Sequence, residues 1–284
     1  MHTLGALPLL LLLDGVPAHA ETAALPRLRF VQRAAALVVS PLCLGEVYMQ
    51  SPPPPWSERA SDPLLLGASR KLVLLFPGAG GPDANTARIV NKLRARGDAV
   101  QLLDWSEQCG DTLRAPNNAR RLGDRLGNEL ARSNPLPKLH VIGVSVGAHA
   151  ADALTAAFRA RAPETHIHLT LLDPFLARGI GGLVLSKAAY GVRRFGASAD
   201  YCESLYNTDD PVPSTSSPVK QAVNYDLTLC KERSRFKPLP GDSLHSWPAA
   251  WYGTHCDELL DAAGVQPHHA DGICRKRGTI IVVP

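Results

Sequence analysis

The feature that most constrains this chain is the stretch LHVIGVSVGAHAADAL, residues 139–154, where an apolar run stops at a serine between two glycines and continues at once with helical spacing. Leu139, Val141 and Ile142 suit a covered, pleated strand. From Ala148 onward, Ala151, Leu154 and Phe158 share one face of a helix, while Asp152, Arg159 and Arg161 face away. A strand that feeds a helix through Gly143-Val144-Ser145-Val146-Gly147 must turn within a very small radius, which glycine tolerates and larger side chains obstruct. Ser145 is therefore expected in a strained backbone conformation with its hydroxyl projecting from the turn, as in a nucleophile elbow. A G-x-S-x-G string alone arises by chance in about one chain in ten of this length. The flanking strand and helix are what give it meaning.

The same alternation surrounds the elbow. The spacing predicts strands over 71–76, 99–105 and 166–172, a strand-like run over 201–206, and helices over 83–96 and 117–133. Ile89, Val90 and Leu93 face inward in the first helix, which Gly97 stops, and Leu122, Leu126 and Leu130 share a face of the second. Alternating strands and helices call for a mainly parallel central sheet with helices on both faces, an α/β fold that brings an elbow serine to the carboxyl edge of the sheet. With 284 residues and 45% hydrophobic content, the chain accommodates one such domain, assigned to residues 63–284, and is too short for a second full one. Residues 174–244 are the candidate lid or pocket insertion. Residues 21–62 form an N-terminal segment containing the stiff spacer Ser51-Pro52-Pro53-Pro54-Pro55-Trp56.

Residues 1–20 read as a signal peptide: an apolar run over 7–13, a break at Asp14-Gly15, and Ala18-His19-Ala20 as the cleavage pattern. Export implies a secreted or periplasmic location, where the even number of cysteines suggests disulfides. The expected pairings are Cys202 with Cys230 and Cys256 with Cys274, leaving Cys43 with Cys109. Cys256, His268, His269 and Cys274 fit no common zinc spacing, so no metal and no other cofactor is expected. The net charge of +4 is mild and its basic clusters are scattered, which argues against nucleic acid as a partner. No later apolar run reaches the ~20 residues of a membrane span. The expected partner is a small-molecule or lipid ester, with at most transient contact with a membrane or lipid surface.

A serine hydroxyl is a poor nucleophile at neutral pH, so the elbow calls for a histidine base and a carboxylate behind it, following in the order acid, then histidine. Asp173, in Leu171-Leu172-Asp173-Pro174, ends the next strand and is the preferred acid. Asp210 or Asp209, after the run over 201–206, is the alternative acid. His245, ahead of Trp251-Tyr252, is the preferred base among ten histidines, and His149 is expected to pack or cap locally. The oxyanion of an attacked ester needs backbone N–H donors, expected at Val146 and at Gly78 and Ala79 in the glycine-rich loop PGAGGP. That loop lacks the G-K-[ST] and G-x-G-x-x-G patterns of phosphate sites.

The run LHVIGVSVGAHAA resembles the elbow of the pancreatic-lipase-like family of α/β-hydrolases. Leu171-Leu172-Asp173-Pro174 is similar to the family's L-D-P acid, and Leu103-Asp104-Trp105 with Asn118-Ala119-Arg120-Arg121-Leu122-Gly123 is similar to its preceding strand and helix. The likeness spans roughly residues 71–174, and His245 more loosely. It implies an α/β-hydrolase fold, a Ser-Asp-His triad and carboxylic ester hydrolysis of the lipase or esterase type without a catalytic metal. The chain departs from the family at Pro77-Gly78-Ala79, where His-Gly and a bulky residue are usual, and at Val144 and Val146, where the family has histidine and leucine. An acyltransferase using the same triad and a secreted non-catalytic binding protein on a hydrolase scaffold are the alternative functions.

Overall fold

The computed structural model describes residues 44–51, 71–133, 136–178, 189–262 and 276–284. The chain divides into two compact units after Gly45, and the fold described here is that of the unit from Glu46 to Pro284. The expected signal peptide, the domain boundary at residue 63, residues 179–188 of the expected insertion, Cys43, His268, His269 and Cys274 lie outside the described residues.

Seven strands form one sheet: β1 (Lys71–Phe76), β2 (Ala99–Leu102), β3 (Lys138–Val144), β4 (His166–Leu172), β5 (Tyr201–Tyr206), β6 (Val223–Asp226) and β7 (Ile280–Val282). Their order is β2-β1-β3-β4-β5-β6-β7, and every neighbouring pair runs parallel. The helices between them are α1 (Ala84–Ala95), α2 (Ser106–Cys109), α3 (Ala115–Ser133), α4 (Gly147–Arg159), α5 (Tyr190–Arg194) and α6 (Trp247–Ala262).

Period-two alternation sends the strand side chains into two apolar layers. Leu72, Leu74, Phe76, Leu139, Val141, Leu169 and Leu171 pack with α3 and α4 on one face. Val73, Leu75, Ile142, Leu172 and Leu205 pack with α1 and α6 on the other. This two-faced parallel sheet is the α/β-hydrolase fold expected from the sequence. Each fully buried leucine or isoleucine contributes ~1.5–3 kcal/mol relative to exposure. Among the described residues, no helix is long and apolar enough to cross a membrane.

Local chemistry sets the element ends. Asp83 Oδ1 accepts from Thr86 N at 2.7 Å and Thr86 Oγ1 accepts from Asp83 N at 2.8 Å, a reciprocal cap that starts α1. Gly97, at φ 86°, stops it. The strand expected over 99–105 ends at Leu102 because Asp104 Oδ1 accepts from Ser106 N at 3.0 Å and closes a turn. Helix α3 begins at Ala115, two residues earlier than expected, and Leu122, Leu126 and Leu130 are buried as predicted.

The disulfide expected between Cys202 and Cys230 is absent. Cys202 belongs to the α3/α4 layer and Cys230 to the α1/α6 layer, so the sheet stands between them. Cys109 and Cys256 form no disulfide among the described residues, and their expected partners Cys43 and Cys274 lie outside them.

Candidate active site

The elbow reads as a strand end, a two-residue turn and a helix start, with Ser145 at φ 52° in the left-handed region. The glycines on either side serve space rather than backbone freedom. A methyl group at Gly143 would stand 2.7 Å from Ala148 Cα, and one at Gly147 would stand 2.5 Å from both the Phe76 and Pro77 carbonyl oxygens. The strain falls on the serine itself. Asp173 sits in the same unusual region at φ 45°.

These two residues are neighbours because β3, β4 and β5 end level, with Val144 opposite Leu172 and Leu172 opposite Leu205. Backbone bonds extend the pairing past the strand ends. Ser145 N donates to Leu172 O at 2.9 Å, Phe175 N donates to Ser145 O at 3.0 Å, and Asp173 N donates to Leu205 O at 2.7 Å. The nucleophile candidate and the acid candidate are therefore held on one rim.

His245 approaches from the other side of the chain, on a 3-10 turn, Leu244–Ser246, that leads into α6. Its N–H donates to Ser243 Oγ at 3.2 Å. Its Nδ1 lies 3.0 Å from Asp173 Oδ2 and 2.7 Å from Asp210 Oδ2. Both acids named from the sequence thus reach one nitrogen. Asp209 does not join them; its carboxylate is ion-paired with Arg233. No hydrogen bond links the Ser145 hydroxyl to His245 among the described residues, and in ligand-free enzymes such bonds are often long until substrate binds.

Asn207 and Thr215 are site residues that sequence reasoning missed. Asn207 is fully buried, and its Nδ2 donates to Asp173 Oδ2 at 3.1 Å and to the Leu244 carbonyl at 3.3 Å. Thr215 Oγ1 donates to Asp210 Oδ2 at 2.6 Å, and Val212 N to Asp210 Oδ1 at 2.9 Å. The cluster Asn207-Thr208-Asp209-Asp210 was the available signal, since polar residues at the end of a parallel strand gather at the site edge.

Burial, above all, pushes the Asp173 carboxyl up to about 7, with His245 opposing and Asp210 adding to the shift. Burial also acts to raise Asp210, but donation from His245, Thr215 and Val212 outweighs it and holds that group at about 2. For His245, burial disfavours the imidazolium, yet the two carboxylates overcome this and raise it to about 9. Nδ1 and the two carboxylate oxygens lie within 4.8 Å of one another, a donor set that a divalent ion could also join. Hydrogen bonding already accounts for their convergence.

Of the expected oxyanion groups, Gly78 packs against the serine. A methyl group built on Gly78 would stand 3.4 Å from Ser145 Cβ and 3.9 Å from its Oγ. Ala79 follows in the same loop, and Val146 stands at the N-terminus of α4, where N–H groups lack helical partners. Trp105 Nε1 donates to the Pro77 carbonyl at 2.9 Å and the Cys109 thiol to the Ala79 carbonyl at 2.8 Å. His149 packs as expected: it is buried between Tyr190 and Phe195, with Nε2 3.0 Å from the Ala177 carbonyl, and burial lowers it to about 3.

No protein-family model and no curated protein matches this chain. Among solved structures, a protein described as a hydrolase of the alpha/beta superfamily from Xanthomonas campestris pv. campestris is similar over 50% of this chain and 73% of its own, at 16% identity and a TM-score of 0.35. A pyrethroid hydrolase from Sphingobium faniae JZ-2 is similar over 38% of this chain and 41% of its own, at 20% identity and a TM-score of 0.25.

Proposed function

We propose that the protein is an exported serine hydrolase that cleaves carboxylic esters, with Ser145 as nucleophile, His245 as general base and a buried carboxylate at Nδ1, Asp173 or Asp210, orienting the base. The observation that carries this reading is the continuous link from elbow to base. Ser145 is bonded through its backbone to the residues flanking Asp173, and Asp173 reaches His245 Nδ1 at 3.0 Å.

In this mechanism Ser145 Oγ attacks the ester carbonyl and its proton passes to His245 Nε2. Charge developing on the carbonyl oxygen is met by the N–H of Val146 and by N–H groups of Gly78 and Ala79. The tetrahedral intermediate collapses, the alcohol leaves with the proton from Nε2, and an acyl group remains on Ser145. Water, activated by the same imidazole, then releases the acid. A small-molecule or lipid ester fits this chemistry, and no cofactor takes part in it.

The test is p-nitrophenyl ester hydrolysis across acyl lengths, comparing the processed chain with Ser145→Ala and following fluorophosphonate labelling of both. We expect Ser145→Ala to lower kcat by about 10³-fold or more and to lose the label. A folded wild type that is inert towards every ester and towards the probe would refute the assignment.

A further inference from the structure

A neutral imidazole that accepts a proton at Nε2 has one hydrogen on Nδ1, yet two carboxylates reach that nitrogen. Asp210 Oδ2 is 2.7 Å away and Asp173 Oδ2 3.0 Å away. Their side chains are 0% and 1% exposed. Two full negative charges out of water at one site repel, and a proton on one of the two carboxylates relieves that repulsion.

The donors decide which one. Asp210 has, besides the imidazole, the Thr215 hydroxyl at 2.6 Å and the Val212 N–H at 2.9 Å. Asp173 has the Asn207 side chain at 3.1 Å and a long contact from Asn207 N at 3.4 Å. Shorter and better donors favour the charged form at Asp210. Resting on the hydrolase reading above, we propose that His245 is positioned by a carboxylate pair holding one proton, in which Asp210 is the ionised member and Asp173 the neutral one.

The consequence is chemical. Two ionised carboxylates would hold His245 as the imidazolium at neutral pH, unable to accept the proton of Ser145. With Asp173 neutral, the Nδ1 hydrogen is directed to Asp210 and Nε2 is free to act. When Ser145 Oγ gives its proton to Nε2, Asp210 becomes the counter-ion of the imidazolium and Asp173 keeps its proton. When that proton passes on to the leaving alcohol, the pair is unchanged. The upward shift of Asp173 and the downward shift of Asp210 run in the same sense, and the rise of His245 to about 9 is what the pair imposes with both carboxylates ionised.

The charged groups acting on His245 are Asp173 and Asp210, and those acting on Asp173 are His245 and Asp210. From the other packed elements, Asn207 donates to Asp173 and Thr215 to Asp210, and Ser243 Oγ accepts from the His245 N–H on the 3-10 turn. Asp209, in the loop after β5, is held by Arg233.

Asp173→Asn and Asp210→Asn, each in the full chain, separate the two positioning roles through the pH profile of kcat/KM. Asp210→Asn is expected to lower kcat/KM by about 10³-fold, because an amide there favours the wrong imidazole tautomer. Asp173→Asn is expected to cost about fivefold and to move the acid limb about one pH unit lower, because a carboxyl that can ionise beside His245 has gone. Infrared spectra in an Asp152→Asn background, which removes a second buried carboxyl raised to about 7, supply a readout independent of activity. A protonated-carboxyl band at about pH 6 is expected with Asp173 present and absent from Asp173→Asn.

The reverse order of losses, equal deep losses, or no such band in the chain carrying Asp173 overturns the proposal and leaves the serine-hydrolase reading standing. If one variant fails to fold, the other variant and the band still decide. An inert wild type sinks the ester assignment instead, and the band alone then decides the carboxylate pair.

Discussion

Ser145 occupies a left-handed backbone state that costs a side-chain-bearing residue roughly 1–2 kcal/mol, and the bonds to Leu172 and Phe175 hold it there. Ser145→Gly should therefore be more stable than Ser145→Ala by about 1 kcal/mol, read from urea midpoints at equal slope, although both lack the hydroxyl. Titration in the site has its own signature. Asp173, a carboxyl raised to about 7, favours the fold while protonated, and that contribution is lost as pH climbs from ~3.9 through about 7. Asp210, held at about 2, acts in the opposite sense and matters only as pH falls from ~3.9 through about 2. The melting temperature should thus fall between about pH 4 and 7, by about 2–4 °C per kcal/mol lost, and fall less in Asp173→Asn.

At the scale of elements, the loop after β1 is held from behind. Trp105 and Cys109 donate to the Pro77 and Ala79 carbonyls on either side of Gly78, which packs against Ser145. Trp105→Phe removes the indole N–H and should lower kcat about tenfold with little change in KM if, as proposed, the loop carries the oxyanion donors. Helices α3 and α4 meet where a methyl group on Gly123 would stand 2.1 Å from the Ala150 carbonyl oxygen. Gly123→Ala should cost about 1–3 kcal/mol in chemical denaturation. The strand–helix alternation and the elbow were legible because their periodicity is local. Asp173 and Asp210 were both visible as strand-end acids, but their meeting at one nitrogen was not, because it depends on the level ends of β4 and β5. Asp152 was read as facing away, yet its Oδ1 accepts from Gly196 N at 2.9 Å. The roles of Asn207 and Trp105 stayed hidden for the same reason, their partners lying across the fold, whereas Thr215 bonds Asp210 within one loop whose conformation no periodicity announces. The strands β6 and β7 and the helix α6 were not assigned either, because β6 and β7 are only four and three residues long and α6 has a weakly amphipathic sequence.

For the whole molecule, the sheet is a partition as well as a scaffold. Expecting Cys202 and Cys230 to pair treated a short sequence separation as a short distance, whereas the sheet puts their side chains in different layers. All four described thiols are buried, and burial raises Cys202 well above the usual thiol range. Cys109, Cys202, Cys230 and Cys256 should therefore resist alkylation in the native protein and react on unfolding, read peptide by peptide by mass spectrometry. The site is held by two kinds of fastening. Ser145 and Asp173 are fastened to the sheet by main-chain bonds, whereas His245 arrives on the turn that opens α6. The imidazole is therefore only as well placed as the buried first turn of α6, where Trp247 and Trp251 act as ballast for a side chain two residues upstream of the helix.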